Sequence, residues 1–70
     1  MNMSTQEKFG QNIRKARTKA GLTQEQLAER ADLHTNYYAR VERGEENPSY
    51  ETIEKIVKAL KVKSSAVMPF

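Results

Sequence analysis

The chain has no cysteine, a single histidine, three glycines and two prolines. Without cysteine there is no disulfide framework, and one histidine is too few for a zinc site or, without a nucleophile beside it, for much catalysis. No apolar run approaches the roughly 20 residues of a membrane span, and the first ten residues lack the pattern of a signal peptide. These absences exclude most enzyme classes. They favour a small cytoplasmic binding protein without a metal or other cofactor.

The composition is that of one small domain with a polar surface. The length of 70 residues lies near the lower limit for independent folding, since a chain of about 60 residues buries only about 60% of its unfolded surface. Twelve basic and nine acidic side chains leave a net charge of +3. Residues 44–70 hold four lysines and four glutamates, so the whole excess lies in residues 1–43. This distribution permits residues 1–43 to bind an anionic partner.

Capping residues and glycines divide the chain into predicted helices. Ser4 and Glu7 have the spacing of a capping box, and Gly21 supplies the left-handed residue that ends the first helix. Thr23 and Gln26 repeat the capping box at the start of a second helix. Apolar residues recur at spacings of three and four in the first helix, as the buried stripe of an amphipathic helix requires.

Three further helices are predicted in the rest of the chain. Thr35 begins one that Gly44 ends, Ser49 caps a fourth, and Ser64 or Ser65 caps one last turn. The fourth helix has apolar residues at positions i, i+3, i+4 and i+7, namely Ile53, Ile56, Val57 and Leu60. No strand-type alternation or low-complexity tract interrupts the pattern. The sequence therefore predicts an all-α domain.

Residues 23–43 combine a short helix, a turn and a second helix, which is helix-turn-helix spacing. These segments resemble the XRE family of phage repressor and Cro-type DNA-binding domains, including short restriction-modification controller proteins. The matching segments are Ile13-Arg14-x-x-Arg17, Gly21-Leu22-Thr23-Gln24, Leu27-Ala28, Val41-Glu42-x-Gly44, Pro48-Ser49, Ile56 and Ala59-Leu60. The resemblance implies a single domain over residues 1–70, a compact bundle of five short helices, and a recognition helix over about 35–43.

The resemblance also implies that the recognition helix reads base pairs in the major groove. Thr35, Asn36 and Arg40 match the base-reading positions of the family. Arginine can bond guanine at two points and asparagine can bond adenine, whereas threonine offers a hydroxyl or a methyl group. The alternatives are that Arg40 is a solvated helix charge and that Thr35 and Asn36 merely start the helix. Thr35 can be the cap while Asn36 reads a base.

Gln24 and Tyr37 match positions from which the family contacts the DNA backbone, and Arg43, beside the loop after the recognition helix, is a further candidate for such a contact. Gln24 begins the second helix, where its amide and free N–H groups can meet one phosphate. Glu45 and Glu46 stand where many relatives have basic or neutral loop residues. We expect their charge to weaken non-specific affinity or to turn the loop away from the duplex.

Other matching positions imply structural roles. Arg17 and Glu42 match a partly buried ion pair that ties the first helix to the recognition helix in related repressors. Tyr38 stands where the family usually has a branched aliphatic residue, so we expect it in the core. Asp32 replaces the glycine that is frequent at the turn. Because aspartate tolerates the left-handed backbone better than most residues, the turn is expected to form.

The implied function is a sequence-specific transcriptional regulator that binds double-stranded DNA as a homodimer on an inverted repeat, with no small-molecule ligand evident. Relatives pair through the C-terminal region, where this chain has a candidate dimer interface of Val62, Ala66, Val67, Met68 and Phe70. The alternative is that these residues only close the core. A different function, a protein-interaction module of the antitoxin or co-activator type, remains open because fold does not imply function.

Overall fold

The computed structural model describes residues 3–70, which form four α-helices and one short 3-10 helix. The α-helices are α1 (Thr5–Lys19), α2 (Gln24–Arg30), α3 (Thr35–Glu42) and α4 (Tyr50–Leu60), and the 3-10 helix spans Ser64–Ala66. None of the described residues is in a strand. The all-α prediction is confirmed.

The predicted fifth helix is only a 3-10 turn, so the bundle has four α-helices and not five. Its N-cap residue, Lys63, makes no side-chain capping bond, and none of its three residues is buried. Pro69 follows closely and has no N–H to continue a helical ladder. The segment therefore has neither a cap nor a buried face with which to extend.

Side-chain caps begin α1, α2 and α4 as predicted. Ser4 Oγ accepts the N–H of Glu7 at 3.1 Å, and Glu7 Oε1 accepts the N–H of Ser4 at 2.9 Å. Thr23 and Gln26 form the same reciprocal pair at 3.0 and 2.9 Å. Ser49 Oγ accepts a backbone N–H of the first turn of α4 at 3.1 Å. These bonds satisfy N–H groups that a helix start otherwise leaves without partners.

α3 begins at Thr35 as predicted, but its cap differs from the prediction. His34, with an extended backbone, is the N-cap residue, and its side chain makes no capping hydrogen bond. Thr35 is the first helical residue and not the cap, so the predicted cap is wrong by one position. Leu33, which precedes this N-cap residue, packs against the core. The exposed Thr35 side chain is therefore not committed to capping.

α1, α2 and α3 end in the same doubly hydrogen-bonded turn, the Schellman motif. Its left-handed residue is Gly21 after α1 and Gly44 after α3, each with φ of 76°. After α2 it is Asp32, with φ of 58°, as the sequence predicted. The N–H of Leu33 donates to the carbonyl oxygen of Ala28 at 2.8 Å and closes this turn. The turn sets the direction in which α3 leaves α2.

α3 packs against both α1 and α2, and α2 also contacts α4. Tyr38 of α3 is fully buried, as predicted. The buried core consists of Phe9, Ile13, Leu27, Ala28, Tyr38, Val41, Ile56, Leu60 and Val67. Sequence reasoning missed Gly10, where a Cβ would come within 2.6 Å of the Val41 carbonyl oxygen and closer still to that of Glu42. This glycine lets α1 lie directly on the end of α3.

Val67 belongs to this core, which corrects the prediction that its side chain pairs subunits. It is fully buried within its own chain, and its carbonyl oxygen accepts a hydrogen bond from Asn12 Nδ2 at 2.9 Å. The C-terminal segment is thereby fixed to α1 and closes the bundle. The other predicted interface residues are two half-buried side chains, Val62 and Met68, and two exposed ones, Ala66 and Phe70.

Candidate nucleic-acid interface

The exposed face of α3 displays the predicted base-reading residues. Asn36 and Arg40 are four residues apart on one face of the helix, and Arg43 continues that spacing after its end. Thr35 and Asn36 are exposed, and the Arg40 side chain keeps 43% of its surface in solvent. Tyr37 is half-buried and packs against the core. The helix therefore offers hydroxyl, amide and guanidinium groups to a ligand while its other face is held by packing.

A surface cleft brings several predicted contact residues together. Gln24 at the start of α2, Thr35 at the start of α3 and Arg43 after α3 line it, together with Arg14 from α1. Three of these four side chains can donate hydrogen bonds from nitrogen. Arg17 also lines the cleft, as do the carboxylates of Glu25 and Glu42, so its arginines exceed its carboxylates by one. Such a lining suits the phosphate groups of a nucleic-acid backbone.

The buried carboxylate of Glu42 joins the three N-terminal helices. It accepts hydrogen bonds from Arg17 Nε at 2.6 Å and Nη2 at 3.3 Å, which is the predicted ion pair. The Tyr38 hydroxyl donates to it at 2.6 Å and Gln24 Nε2 donates at 3.0 Å. The same arginine donates through Nη1 to the carbonyl oxygen of Leu22 at 2.7 Å. α1, α2 and α3 are thus connected through one fully hydrogen-bonded group.

This network fixes the charge states of its members. Burial acts to raise the pKa of Glu42, but hydrogen bonds from Arg17, Tyr38 and Gln24 outweigh it and hold that pKa below its ordinary value. The hydrogen bond to Glu42 raises the pKa of Arg17. Burial, with the hydrogen bond to Glu42, raises the pKa of Tyr38. The group is therefore a carboxylate, a guanidinium and a neutral phenol around neutral pH.

The structure gives Gln24 a role that the sequence did not indicate. The expected role was a phosphate contact, but Nε2 donates one hydrogen bond to the buried Glu42 carboxylate. An amide nitrogen carries two hydrogens, so one N–H remains for a ligand. No helical spacing relates residues 24 and 42, and only the packing of α2 beside α3 brings them together.

Both acidic side chains of the loop after α3 turn back to arginines of α3 and of its C-terminal cap. Glu46 Oε2 accepts from Arg40 Nε at 2.9 Å. Glu45 accepts from Arg43 Nε at 2.9 Å and from Nη2 at 3.2 Å. The hydrogen bond raises the pKa of Arg43 and lowers that of Glu45. Sequence reasoning considered the charge of this loop but missed its pairing with the two arginines.

A family model described as helix-turn-helix matches residues 13–67. The chain belongs to the helix-turn-helix family. The control protein C.BamHI of Bacillus amyloliquefaciens is 44% identical to this helix-turn-helix chain over 63 residues, or 89% of this chain and 78% of that protein. The immunity repressor of Bacillus phage phi105 is 44% identical over 59 residues, which is 84% of this chain but 41% of the repressor.

The fold is also similar to that of a restriction-modification controller protein of known structure. The crystal structure of the restriction-modification controller protein C.AhdI from Aeromonas hydrophila superimposes with a TM-score of 0.87 at 40% identity, covering 90% of this chain and 96% of that one. The resemblance to the XRE family is thereby confirmed. This helix-turn-helix chain is a DNA-binding transcriptional regulator.

Within residues 3–70, no helix is long and apolar enough to cross a membrane. The same part of the chain has no group of three or more histidine, cysteine, aspartate or glutamate side chains that could hold a metal ion.

Proposed function

We propose that this protein binds an inverted-repeat operator as a homodimer and reads it with α3, without catalytic activity of its own. The exposed face of α3 with Asn36 and Arg40 is the observation on which the proposal depends. An asparagine can bond adenine and an arginine can bond guanine through two points each, and each such pair discriminates by about 1–3 kcal/mol. Thr35 adds a hydroxyl and a methyl group at the start of the helix.

A rigid scaffold beneath the reading face supports this role. Side chains that discriminate bases must be held in place by packing and by hydrogen bonds to neighbouring residues. Tyr38 and Glu42 anchor α3 from its buried side, and Arg17 connects that anchor to α1. The recognition helix thus presents its exposed residues in one orientation.

Backbone contacts are proposed for the cleft between α1, α2 and α3. Arg14 and Arg43 line it, and Gln24 keeps one amide N–H available there. The excess positive charge of the chain lies in residues 1–43, which include all three of these helices. Phosphate contacts of this kind fix the register of a protein on the duplex but do not specify the sequence.

Selection of bound duplexes from a random pool tests base reading. The wild type should enrich an inverted repeat whose half-sites lie about 34 Å apart, one turn of DNA. Arg40→Ala should lose preference at one base pair per half-site and about 1–3 kcal/mol of affinity. Arg30→Ala, which removes an exposed arginine at the end of α2, is the control and should select the wild-type sequence. A pool without any enriched sequence would contradict the proposal.

The proposed dimer surface is the C-terminal segment without Val67. Phe70 is 93% exposed and borders an apolar groove that Phe9, Ile53 and Met68 also line. Phe70→Asp should shift the protein to monomer in analytical ultracentrifugation. Tyr50→Ser changes another exposed aromatic residue, 82% accessible at the start of α4, and should leave the dimer intact. A dimer unaffected by Phe70→Asp would exclude this surface.

A further inference from the structure

The two ion pairs between arginines at the end of α3 and the following loop differ in which guanidinium nitrogens contact the carboxylate. Glu46 contacts Arg40 through Nε alone, at 2.9 Å. Glu45 contacts Arg43 through both Nε and Nη2. Among residues 3–70, the terminal nitrogens Nη1 and Nη2 of Arg40 therefore have no hydrogen-bond partner, whereas one edge of the Arg43 guanidinium is already occupied.

The free nitrogens of Arg40 are the ones that a base contact can use. Guanine presents O6 and N7 side by side in the major groove, and a guanidinium bonds them through two N–H groups. Nη1 and Nη2 provide such a pair. A carboxylate at Nε holds the guanidinium from the side and leaves these two donors free. It also restricts a flexible side chain before binding, which lowers the entropy that binding would otherwise cost.

The turn after α3 brings Glu46 to this position. Gly44 takes a left-handed conformation and donates its N–H to the carbonyl oxygen of Val41 at 3.1 Å. The N–H of Glu45 donates to the carbonyl oxygen of Arg40 at 2.9 Å, so the loop returns along the last turn of the helix. The side chains of Arg40 and Glu46 are 43% and 35% exposed, and pairs this accessible contribute little to stability.

We propose that Glu46 is a positioning residue, which orients the Arg40 guanidinium for a guanine and thereby determines base preference at one position of each half-site. The inference rests on the proposed function, because it requires Arg40 to read a base. Glu45 has a different effect, since its bidentate contact neutralises Arg43. It lowers affinity for DNA of every sequence by opposing phosphate contacts.

Competition binding with defined duplexes measures the positioning role. The base pair read by Arg40 is the one at which Arg40→Ala loses preference, and the readout is the ratio of affinities for the operator and for the operator changed at that pair. Glu46→Ala should lower this ratio by about two- to fivefold, the range expected for a half-exposed ion pair. Glu46→Gln keeps an oxygen that accepts from Nε, so it should retain the ratio. Glu45→Ala is the matched control and should raise affinity for both duplexes equally.

Three outcomes would overturn the positioning role. The first is a wild-type ratio in Glu46→Ala, the second is an equal loss in Glu45→Ala, and the third is a loss caused by Glu46→Ala in an Arg40→Ala background. Thermal unfolding of each variant should match the wild type, which separates positioning from a folding defect. If the wild type selects no sequence, the proposed function itself fails. If it selects an operator and only Glu46→Ala behaves unexpectedly, only the role of Glu46 fails.

Discussion

At the scale of single residues, Glu42 combines a nearly complete burial with a full set of hydrogen bonds. Its side chain is 2% exposed, and its two oxygens together accept from Arg17, Gln24 and Tyr38. Burying a carboxylate is costly unless its charge is compensated and its hydrogen bonds are satisfied. The network therefore makes the position of α3 depend on each partner that contacts this group.

Removal of Arg17 should have a large effect on stability. Arg17→Ala leaves the buried Glu42 carboxylate without its counter-charge, and we expect the free energy of unfolding to fall by about 3–5 kcal/mol. Arg14→Ala, which removes an exposed arginine from the same helix, should change it by less than about 0.5 kcal/mol. Urea unfolding followed by circular dichroism measures both. Equal stability of the two variants would contradict the structural role of the ion pair.

The lowered pKa of Glu42 predicts loss of stability in acid. Because the pKa is lower in the folded protein than its ordinary value of 4.5, the unfolded chain binds more protons as the pH falls. The stabilisation by this group should be complete above pH 4.5 and disappear as the pH falls through the folded pKa.

Comparison with Glu42→Gln isolates this contribution. The amide cannot ionise, so the variant should be less stable than the wild type at neutral pH and should lose less stability on acidification. Urea unfolding of both proteins between about pH 3 and pH 7 gives the two profiles. Parallel profiles would show that Glu42 does not account for the acid dependence.

At the scale of elements, local residue patterns were enough to locate the helices. Ser4 with Glu7 and Thr23 with Gln26 form the capping boxes that their spacing predicted. α3 begins at Thr35 as predicted, but the predicted cap was wrong: Thr35 is a residue type that favours caps, whereas His34 is the N-cap residue and makes no side-chain capping bond. The last segment formed a 3-10 turn and not an α-helix, since its residues bury no face.

Two residues other than glycine have a left-handed backbone at helix ends, and their substitution tests how much strain this conformation causes. Asp32 and Lys61 have φ of 58° and 57°. Lys61→Gly should stabilise the fold by about 0.5–1 kcal/mol, because lysine has a Cβ that the left-handed backbone disfavours. Asp32→Gly should gain less, since a short polar side chain tolerates this conformation. Denaturant unfolding compares them, and a larger gain from Asp32→Gly would contradict the strain argument.

At the scale of the whole molecule, most contacts between distant segments could not be predicted from the sequence. Residues 17, 24 and 42 come together only because α1, α2 and α3 pack against one another. The resemblance to a family indicated one of these contacts, the ion pair. The burial of Val67 and the closeness of Gly10 to α3 depend on how the C-terminal segment and α1 cross the bundle. The spacing of apolar residues within one helix does not indicate how that helix crosses the others.

Ion pairs partly neutralise the basic part of the molecule. Arg40 and Arg43 are both paired with loop carboxylates, although they lie in the basic part of the chain. These pairs weaken the long-range attraction to phosphate, which is the same for every sequence, so base contacts must supply a larger share of the affinity for an operator. The molecule is therefore expected to discriminate strongly and to bind random DNA weakly.

The ratio of affinities for the selected operator and for a scrambled duplex of the same length tests this account most directly. It is measured by competition at fixed salt near physiological ionic strength, because affinities for DNA depend steeply on salt. We predict that the wild type prefers the operator by about a thousandfold or more and that Arg40→Ala lowers this preference. A ratio near one, unchanged by Arg40→Ala, would contradict sequence-specific reading by α3.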